Sequence, residues 1–405
     1  MNVLMLSPGF PEDMPYFTRG LAIAGARVFG VGDQPKAALK PEVRDALTDY
    51  LQVRSLWKID EVVKEIRGFL RNRSIDRVET LWEPAMLIAA RLRELLGCPG
   101  LNVEQTEPFR DKVLMKDRLD QAGIRTPYHF RATTRDEVHR AVDKIGFPLI
   151  LKPVDGAGSA DTFRCDDSDD LDKALRATAG LTQLNVEEFI EGEEFTYDTV
   201  TSKGDILFDN IAWYRPKPLV TRNNPWISQQ VIVFRDLEVE ALQTGRELGR
   251  KVVRALGFES GFTHMEWFLK GDGEAVFGEI GGRAPGGRLT HVMNHSNESD
   301  LFNGWGEAIV HGRMSQPITR RYNAAAVFKR AEGTGRIASI DGLQSLMHRF
   351  GDLVSHIDLV PVGEPRRDYR QIVTGDGWLV VRHPDLQTTI EAAEAFANEL
   401  RMTAQ

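Results

Sequence analysis

The stretch GFTHMEWFLKGDGEAVFGEIGGRAPGG, residues 261–287, decides how the rest of the chain is interpreted. Two apolar runs, FTHMEWFL and EAVFGEI, are joined by Lys-Gly-Asp-Gly. Asp-Gly between alternating apolar residues predicts a β-hairpin with a two-residue turn. A type I′ turn needs positive φ at both central residues, so we place Asp272 and Gly273 there.

This turn fixes which residues of the two predicted strands lie opposite each other. It places Glu266 opposite Glu279, and it places Leu269 opposite Val276. Like charges facing each other on one side of a sheet repel. A divalent cation between the two carboxylates removes that repulsion, and Mg²⁺ prefers such oxygen ligands, with phosphates completing its shell. The alternative is a pair of solvated glutamates on an exposed hairpin.

Composition limits the classes of protein to which the chain can belong. Its 405 residues suffice for two or three domains, and its hydrophobic (42%) and charged (27%) fractions are ordinary for a globular protein. A net charge of −8 argues against nucleic acid or an anionic membrane surface as the main partner. The two cysteines are far apart, and no signal peptide or membrane-spanning run is evident, so we expect a cytoplasmic protein.

The first part of the chain alternates strand and helix patterns. Apolar strands are predicted over 2–6 and 27–31, and helices over 14–24, 61–70 and 86–96. This order is typical of a small doubly wound domain with a parallel sheet. No GxGxxG follows the first strand, so neither a dinucleotide cofactor nor an oxidoreductase is indicated.

Lysines appear at two places in the following segment. A helix carrying Lys112 and Lys116 one turn apart is predicted, capped by Thr106 and ended by Gly123. Taken alone, these two lysines are interpreted as solvated. Farther on, the apolar strand PLILK ends in Lys152.

Two segments after Lys152 have compositions that suit a nucleotide. The loop DGAGSAD, with Gly156, Gly158 and Ser159, can present backbone N–H groups to phosphates, although it is not a Walker A loop. The segment NVEEFIEGEEFT can contact an adenine through its main chain and a ribose through a carboxylate. An ordinary turn and an edge strand with solvated acids are the alternatives.

The order of these features resembles the ATP-grasp carboxylate–amine ligases, over roughly residues 112–287. A helical lysine, a strand-ending lysine before a small-residue loop, an acidic hinge and a Glu-hairpin-Glu follow one another as in that family. The segment VEEFIEGEEFT is similar to the hinge of the D-alanine–D-alanine ligases. By this resemblance Lys112 and Lys152 bind the ATP phosphates and Glu194 holds the ribose. It assigns the remaining binding residues as follows: Gly156, Gly158 and Ser159 to phosphate, Glu187, Glu188, Phe189 and Ile190 to adenine, and Glu266 and Glu279 to metal.

The resemblance also assigns catalytic roles and shows where the chain departs from the family. Arg283, four residues after Glu279, would lie near the transferred phosphate or the substrate carboxylate, and Lys152 is the second catalytic candidate. Many members have Asn where this chain has Gly281, so the metal would rely on the two glutamates and water. His264, on the same face of its strand as the first glutamate, is given a structural role.

The resemblance implies an α/β ATP-grasp fold with a lid. We expect a Rossmann-like domain over 1–103, a lid subdomain over 104–190, a large subdomain with the metal site over 191–320, and a C-terminal α/β domain over 321–405. The implied activity is an ADP-forming ligase that activates a carboxylate as an acyl phosphate and couples it to an amine, such as one amino acid to another.

The implied cofactors are ATP and Mg²⁺, or Mn²⁺ in its place. The partners are small-molecule carboxylates and amines, and a homodimer is compatible with a chain of this size. Two alternatives remain open at this point: a biotin-carboxylase-like enzyme, which shares the core, and a nucleotide-binding module without ligase activity.

Overall fold

The computed structural model describes residues 1–71, 73–154, 161–368, 372 and 374–405. These residues form fourteen α-helices and nineteen strands, and the strands are arranged in four sheets. The mixed α/β fold that the sequence predicts is confirmed. Within the described residues, no helix is both long and apolar enough to span a membrane.

The N-terminal unit is a parallel four-stranded sheet flanked by helices, in the strand order β3-β2-β1-β4. Its elements are β1 (Asn2–Leu6), α1 (Met14–Ile23), β2 (Arg27–Gly32), α2 (Pro41–Ala46), β3 (Leu47–Gln52), α3 (Ile59–Leu70), β4 (Arg77–Glu79) and α4 (Met86–Leu96). Parallel strands require crossover connections, which the helices supply. The doubly wound arrangement expected for this part of the chain is therefore present.

The lysine-bearing helix begins later than the sequence suggests. A short helix, α5 (Val103–Thr106), and a 3-10 turn precede α6 (Lys112–Gln121). The cap of α6 is Asp111, whose carboxylate accepts hydrogen bonds from the backbone N–H groups of residues 113 and 114. The prediction that Thr106 caps this helix was therefore wrong, because Asn102 and Asp111 cap two separate helices.

A small antiparallel sheet follows, in the order β5-β8-β6-β7, with two helices on one side. Its elements are β5 (His129–Ala132), α7 (Arg135–Ile145), β6 (Leu149–Pro153), β7 (Phe163–Cys165), α8 (Ser168–Ala177) and β8 (Leu184–Glu188). The apolar face packs on the helices. The opposite face carries polar side chains, because side chains alternate along a strand.

The largest sheet has eight strands in the order β13-β12-β9-β10-β11-β14-β18-β17. The elements of this part of the chain are β9 (Glu193–Ser202), β10 (Asp205–Arg215), α9 (Pro218–Asn223), β11 (Gln230–Val233), α10 (Glu240–Ala255), β12 (Gly261–Leu269), β13 (Ala275–Gly281), α11 (Leu289–Asn297), α12 (Leu301–His311), β14 (Asn323–Lys329), β15 (Glu332–Gly333), β16 (Ile337–Asp341), α13 (Leu343–Phe350), β17 (Val354–Leu359), β18 (Gly377–His383), α14 (Leu386–Glu399) and β19 (Arg401–Ala404). Strands β15, β19 and β16 form a separate sheet. The large sheet continues across the predicted boundary at 320, since β14, β17 and β18 belong to it. The domain boundaries themselves stay predictions.

The hairpin formed by β12 and β13 pairs Glu266 with Glu279, as the sequence predicts. The predicted turn was wrong, however. Gly273 has a φ of +87° and its N–H donates to Lys270, so the loop has three residues and ends in a left-handed glycine. The longer loop pairs Leu269 with Ala275, one residue away from the predicted partner.

A β-bulge restores the register farther along the hairpin. The pairing shifts by one residue between positions 266 and 267, which leaves Gly278 as the extra residue on β13. A Cβ on Gly278 would lie 2.8 Å from the backbone oxygen of Glu266. This close approach explains why glycine occupies the position.

Candidate active site

Helix α6 brings two lysines into the cleft between the small and the large sheet. Lys112 and Lys116 lie one turn apart and therefore on one face of the helix. Both are buried, and Lys116 is fully excluded from solvent. The interpretation of these lysines as solvated residues was therefore wrong. The ammonium of Lys116 also lies 5.8 Å from the ring centroid of Phe277, within reach of a cation–π interaction.

The polar face of the small sheet supplies a third lysine and a carboxylate. Lys152 on β6 and Glu187 on β8 are diagonal neighbours, and their Nζ and Oε1 atoms are 2.5 Å apart. The other carboxylate oxygen lies 3.3 Å from Nζ of Lys116 and accepts a hydrogen bond from Asn185 at 2.8 Å. We call Lys116, Glu187 and Lys152 the lysine–glutamate triad.

Burial and charge act in opposite directions on the pKa values of this triad. Burial alone would raise the pKa of Glu187, but Lys116 and Lys152 lower it to about 2. Burial lowers the pKa of Lys116, against the attraction of Glu187. Burial also acts to lower the pKa of Lys152, yet Glu187 and Glu279 outweigh it and hold that pKa above its ordinary value. Glu187 and Lys152 are therefore charged at neutral pH.

The hairpin places two carboxylates on the opposite wall of the cleft. Glu266 and Glu279 are directly paired, and 36% and 27% of their side chains remain exposed. We call them the glutamate pair. Nζ of Lys112 lies 3.0 Å from Oε1 of Glu279. Burial tends to raise the pKa of Glu279, but Lys112, Lys152 and Lys116 lower it.

The glutamate pair is suited to a divalent cation. Two carboxylates on one sheet face, both reachable from the cleft, match the oxygen ligands that Mg²⁺ takes together with water and phosphates. Among the described residues, no group of three or more His, Cys, Asp or Glu side chains could hold a metal by itself. At Gly281, an added Cβ would meet the side chain of Arg283 at 3.2 Å, so a larger residue there would require that arginine to shift.

Other acidic groups surround the glutamate pair on the central strands. Glu194 on β9 is half-buried, and burial together with Glu266 raises its pKa to about 8. The carboxylate of Asp198 accepts a hydrogen bond from His264, with 2.6 Å between Nδ1 and Oδ1. Burial alone would lower the pKa of His264, but Asp198 and Glu266 raise it to about 9. A carboxyl group whose pKa is raised by burial and by a nearby carboxylate fits a site that binds a cation.

The predicted adenine segment, Glu187 to Ile190, connects the small sheet to the large one. Its side chains do not act alike: Glu187 belongs to the triad, whereas Glu188 accepts two hydrogen bonds from Arg125 at 3.0 Å. Among the described residues, no backbone hydrogen bond involves Phe189 or Ile190. The contact of this main chain with adenine stays a prediction.

Arg283 follows the hairpin and is held by the N-terminal unit. Its Nε donates to Glu83 at 2.7 Å, and Glu83 also pairs with Arg110. Burial alone would lower the pKa of Arg283, but Glu83 and the glutamate pair raise it. Glu83 therefore joins the N-terminal unit to the loop after the hairpin and fixes the arginine beside the glutamate pair.

The predicted phosphate loop cannot be compared with the structure. Gly156, Gly158 and Ser159 lie outside the described residues. Strand β6, which carries Lys152, ends directly before this loop. The role of the loop stays a prediction.

Sequence reasoning did not find three of the groups near the cleft. Lys116 was left unassigned, although its one-turn spacing from Lys112 was a usable signal. Glu83, in LWEPAM, lies in the loop after β4 and directly follows a tryptophan, and ligand-binding residues are common in such loops. The Asp198–His264 pair depends on the alignment of β9 with β12, for which the local sequence contains no signal.

The fold and the site together define an ATP-grasp domain. The family model of the ATP-grasp domain matches residues 117–291, which include the triad's Glu187 and Lys152 and the glutamate pair. Residues 117–291 therefore match the ATP-grasp domain, and the resemblance to this domain inferred from the sequence is confirmed.

Curated relatives and solved structures agree with this assignment. The chain is 27% identical over 270 residues to the L-arginine-specific L-amino acid ligase of Bacillus subtilis, covering 64% of this chain and 61% of the relative. It is 28% identical over 231 residues to alanine–anticapsin ligase of B. subtilis strain 168, covering 51% and 48%. The alignments thus span about half to three fifths of these relatives. The crystal structure of an L-amino acid ligase from Bacillus licheniformis has the same fold, with a TM-score of 0.79, 22% identity, and coverage of 100% and 98%.

Proposed function

We propose that the protein is an ATP-dependent, ADP-forming ligase that joins a small-molecule carboxylate to an amine, with amino acids as substrates. The observation that carries the proposal is the glutamate pair, placed opposite the lysine–glutamate triad and beside Arg283. Phosphoryl transfer depends mainly on positioning and on neutralising charge, and this cleft offers charged groups of both signs. The names of the amino-acid ligase relatives favour amino acids among the carboxylates and amines.

In this proposal the nucleotide lies between the two sheets. Lys112 and Lys152 bind the phosphates, and the main chain of residues 187–190 contacts the adenine. Glu194 holds the ribose hydroxyls, and the loop of Gly156, Gly158 and Ser159 covers the phosphates. Burial of Lys116 beside Glu187 keeps Lys152 oriented toward the cleft.

Glu266 and Glu279 are the residues that would hold Mg²⁺, or Mn²⁺ in its place. A bound divalent ion supplies neutralisation of phosphate charge and orientation of the γ-phosphate. The chain's own contribution is Arg283, whose planar guanidinium suits a carboxylate or phosphate. Because Glu83 holds its Nε, the guanidinium keeps a fixed orientation toward the glutamate pair.

The reaction proceeds in two steps. A carboxylate oxygen of the first substrate attacks the γ-phosphorus, the bond to the β-γ bridging oxygen breaks, and ADP leaves. The amine of the second substrate then attacks the acyl carbon, inorganic phosphate leaves, and a proton is lost from nitrogen to give the amide. Attack of the amine gives a tetrahedral intermediate with a negatively charged oxygen, and Arg283 stabilises this oxyanion before phosphate leaves. Exclusion of water protects the acyl phosphate from hydrolysis.

The proposal also includes the cell compartment. Cys98 and Cys165 are unpaired, which fits reduced thiols in the cytoplasm.

A phosphate-release screen over pairs of amino acids with Mg·ATP tests the proposed activity. We expect ADP and phosphate to form only when both a carboxylate and an amine are present, and Glu279→Gln to abolish turnover. If AMP forms instead of ADP, the carboxylate is activated by adenylation and not as an acyl phosphate. Turnover with bicarbonate and a biotinyl carrier, but with no amino-acid pair, would favour the biotin-carboxylase-like alternative. Nucleotide binding without any turnover would favour a binding module.

A further inference from the structure

Three aromatic side chains from three separate loops meet at the carboxyl end of the N-terminal sheet. Phe10 follows β1, Trp57 follows β3, and Trp82 follows β4. The ring centroids of Phe10 and Trp82 are 5.3 Å apart with the planes at 87°, and those of Trp57 and Trp82 are 5.3 Å apart at 57°. These are favourable aromatic geometries. We call the three residues the aromatic cluster.

The aromatic cluster is exposed to solvent. Phe10 is 47% and Trp57 is 56% exposed, whereas Trp82 is half-buried and packs on the core of the N-terminal unit. Rings brought together from separate loops and still left in water form an apolar surface that a ligand can cover. The proposed phosphoryl transfer gives this surface no role.

The topology of the sheet places the cluster where ligands bind in open α/β folds. The strand order is β3-β2-β1-β4, so the chain runs outward from β1 to β3 and then returns to the other side of β1. The crevice between β1 and β4 is therefore the point at which the strand order reverses. Phe10 and Trp82 lie in the two loops that border this crevice.

Both loops also carry carboxylates that pair with arginines of the loop after the hairpin. Glu83, next to Trp82, accepts a hydrogen bond from Nε of Arg283 at 2.7 Å. Asp13, in the Phe10 loop, accepts one from Nη1 of Arg288 at 2.5 Å. The cluster is thus connected through these pairs to the arginine beside the glutamate pair. Acidic and basic groups side by side suit a zwitterion.

We propose that the aromatic cluster binds the side chain of the substrate whose carboxylate is activated, so that this substrate is an amino acid with an aromatic or large apolar side chain. The inference rests on the proposed function, which requires a carboxylate near Arg283. A substrate whose carboxylate lies there and whose ammonium group lies near Glu83 directs its side chain toward Trp82. The exposed faces of Phe10 and Trp57 then complete the contact.

Trapping of the acyl phosphate with hydroxylamine tests this choice of substrate. Each amino acid is supplied as the one amino acid, with Mg·ATP and hydroxylamine. Hydroxylamine attacks the acyl carbon, phosphate leaves, and the hydroxamate, detected as its coloured Fe(III) complex, reports activation. We expect Phe, Trp and Leu to be activated more efficiently than Ala, Ser or Asp. In Phe10→Ala and Trp57→Ala, kcat/KM for Phe should fall by about tenfold or more, while kcat/KM for Ala stays within about twofold. Both side chains are exposed, so these variants should fold.

The chain offers a matched control in Trp226, which is 69% exposed and lies outside the cluster. Trp226→Ala should leave the preference for Phe over Ala unchanged. Equal activation of small and aromatic amino acids, with no effect of Phe10→Ala or Trp57→Ala, would overturn the inference and leave the proposed function intact. An effect of the variants on all amino acids alike would also overturn it.

A binding measurement separates failure of the inference from failure of the proposed function. If no amino acid gives a hydroxamate, the proposed function fails, and titration of L-Phe into the ATP-bound protein decides the inference. We expect saturable quenching of tryptophan fluorescence that is reduced in Trp57→Phe. Absence of L-Phe binding, or binding that Trp57→Ala leaves unchanged, would remove the aromatic cluster as a side-chain site. If a partner protein or a second copy covers the cluster instead, L-Phe will not bind.

Discussion

The lysine–glutamate triad and the glutamate pair line opposite walls of one cleft, but their charges are balanced in different ways. In the triad, Glu187 lies 2.5 Å from Lys152 and 3.3 Å from Lys116, and all three side chains are nearly removed from solvent. In the glutamate pair, Glu266 and Glu279 face each other with like charge and keep 36% and 27% of their side chains exposed.

In the triad, the protein's own side chains balance the charge of the carboxylate. In the glutamate pair, a bound ligand is needed to balance the charge. The triad places two lysines around one carboxylate, so its basic groups outnumber its acidic one. The glutamate pair consists of two carboxylates, and among the described residues only Glu279 has a lysine partner, Lys112, at 3.0 Å. The excess of lysines in the triad suits phosphates, and the excess of carboxylates in the glutamate pair suits a cation. Variants should therefore differ: those of the glutamate pair should alter activity with little effect on stability, whereas loss of the Glu187 carboxylate should lower stability.

The largest effect is expected for Glu266→Gln, which removes one charge of the pair and changes the shape of the side chain little. We expect ATP-dependent turnover to fall by about 10³-fold, because a fixed group that balances charge at the transferring phosphate is lost. The midpoint of thermal unfolding should stay the same or rise, since the repulsion between the carboxylates is relieved.

Glu274→Gln provides the control for this prediction. Glu274 lies on the same hairpin and pairs with Lys270 at 2.6 Å, far along the strand from the cleft. Its removal should leave turnover unchanged. Comparable loss of activity in both variants, or a lowered unfolding midpoint in Glu266→Gln alone, would contradict the view that the pair serves binding rather than stability.

The opposite pattern is expected for Glu187→Gln. The substitution leaves Lys116 fully buried without its nearest carboxylate, and breaking a buried ion pair on one side costs about 3 kcal/mol or more of the free energy of unfolding. Urea denaturation measures this loss. The matched control is Glu188→Gln, because Glu188 pairs with Arg125 at a partly exposed position. Its cost should be at most about 1 kcal/mol. Equal costs for the two variants would show that the triad is not a buried structural unit.

Low pH provides a second measurement of the triad without a change in sequence. The pKa of Glu187 is lowered from 4.5 to about 2 in the folded protein. A lowered pKa means that the unfolded chain binds the proton first, so stability from this group is complete above about pH 4.5 and is lost as the pH falls toward 2. The loss should approach about 1.4 kcal/mol per pH unit within that window. The difference in stability between the wild type and Glu187→Gln should therefore shrink on acidification. A difference independent of pH would contradict the assignment.

The sequence predicted the elements of the site better than it predicted their partners. The pairing of Glu266 with Glu279 was correct although the turn was wrong, because the three-residue loop shifts the register by one residue and the bulge at Gly278 shifts it back. A single sequence shows neither shift, since both depend on close contacts between the two strands.

The triad shows why some roles could not be predicted. Lys116 appeared to be a solvated lysine because helix periodicity does not show which element covers it. Its partner Glu187 lies on β8, which follows in the chain only after the whole β6–β7 segment. Local patterns predict helices, strands and caps, whereas the charge state of a buried lysine depends on contacts between distant parts of the chain.

We expect the smallest effect for Gly278→Ala. This substitution tests whether the backbone of the hairpin keeps the two glutamates paired. The register near the loop pairs Phe268 with Val276, and without the bulge it would continue to pair Glu266 with Gly278. Because side chains alternate along a strand, Glu279 would then point to the opposite face of the sheet and the glutamate pair would not exist.

An alanine at 278 places a Cβ 2.8 Å from the backbone oxygen of Glu266, where the bulge allows no room. We expect a loss of about 1–2 kcal/mol in the free energy of unfolding, together with a fall in turnover. In the control Gly271→Ala, the added Cβ meets no atom within 4 Å, so stability should change by less than about 0.5 kcal/mol and turnover should not change. If Gly278→Ala lowers stability but leaves turnover intact, the bulge serves only the packing of the hairpin. Loss of both stability and turnover would mean that the glycine at 278 is needed for the bulge. The bulge would then be what keeps the two glutamates on the same face of the sheet.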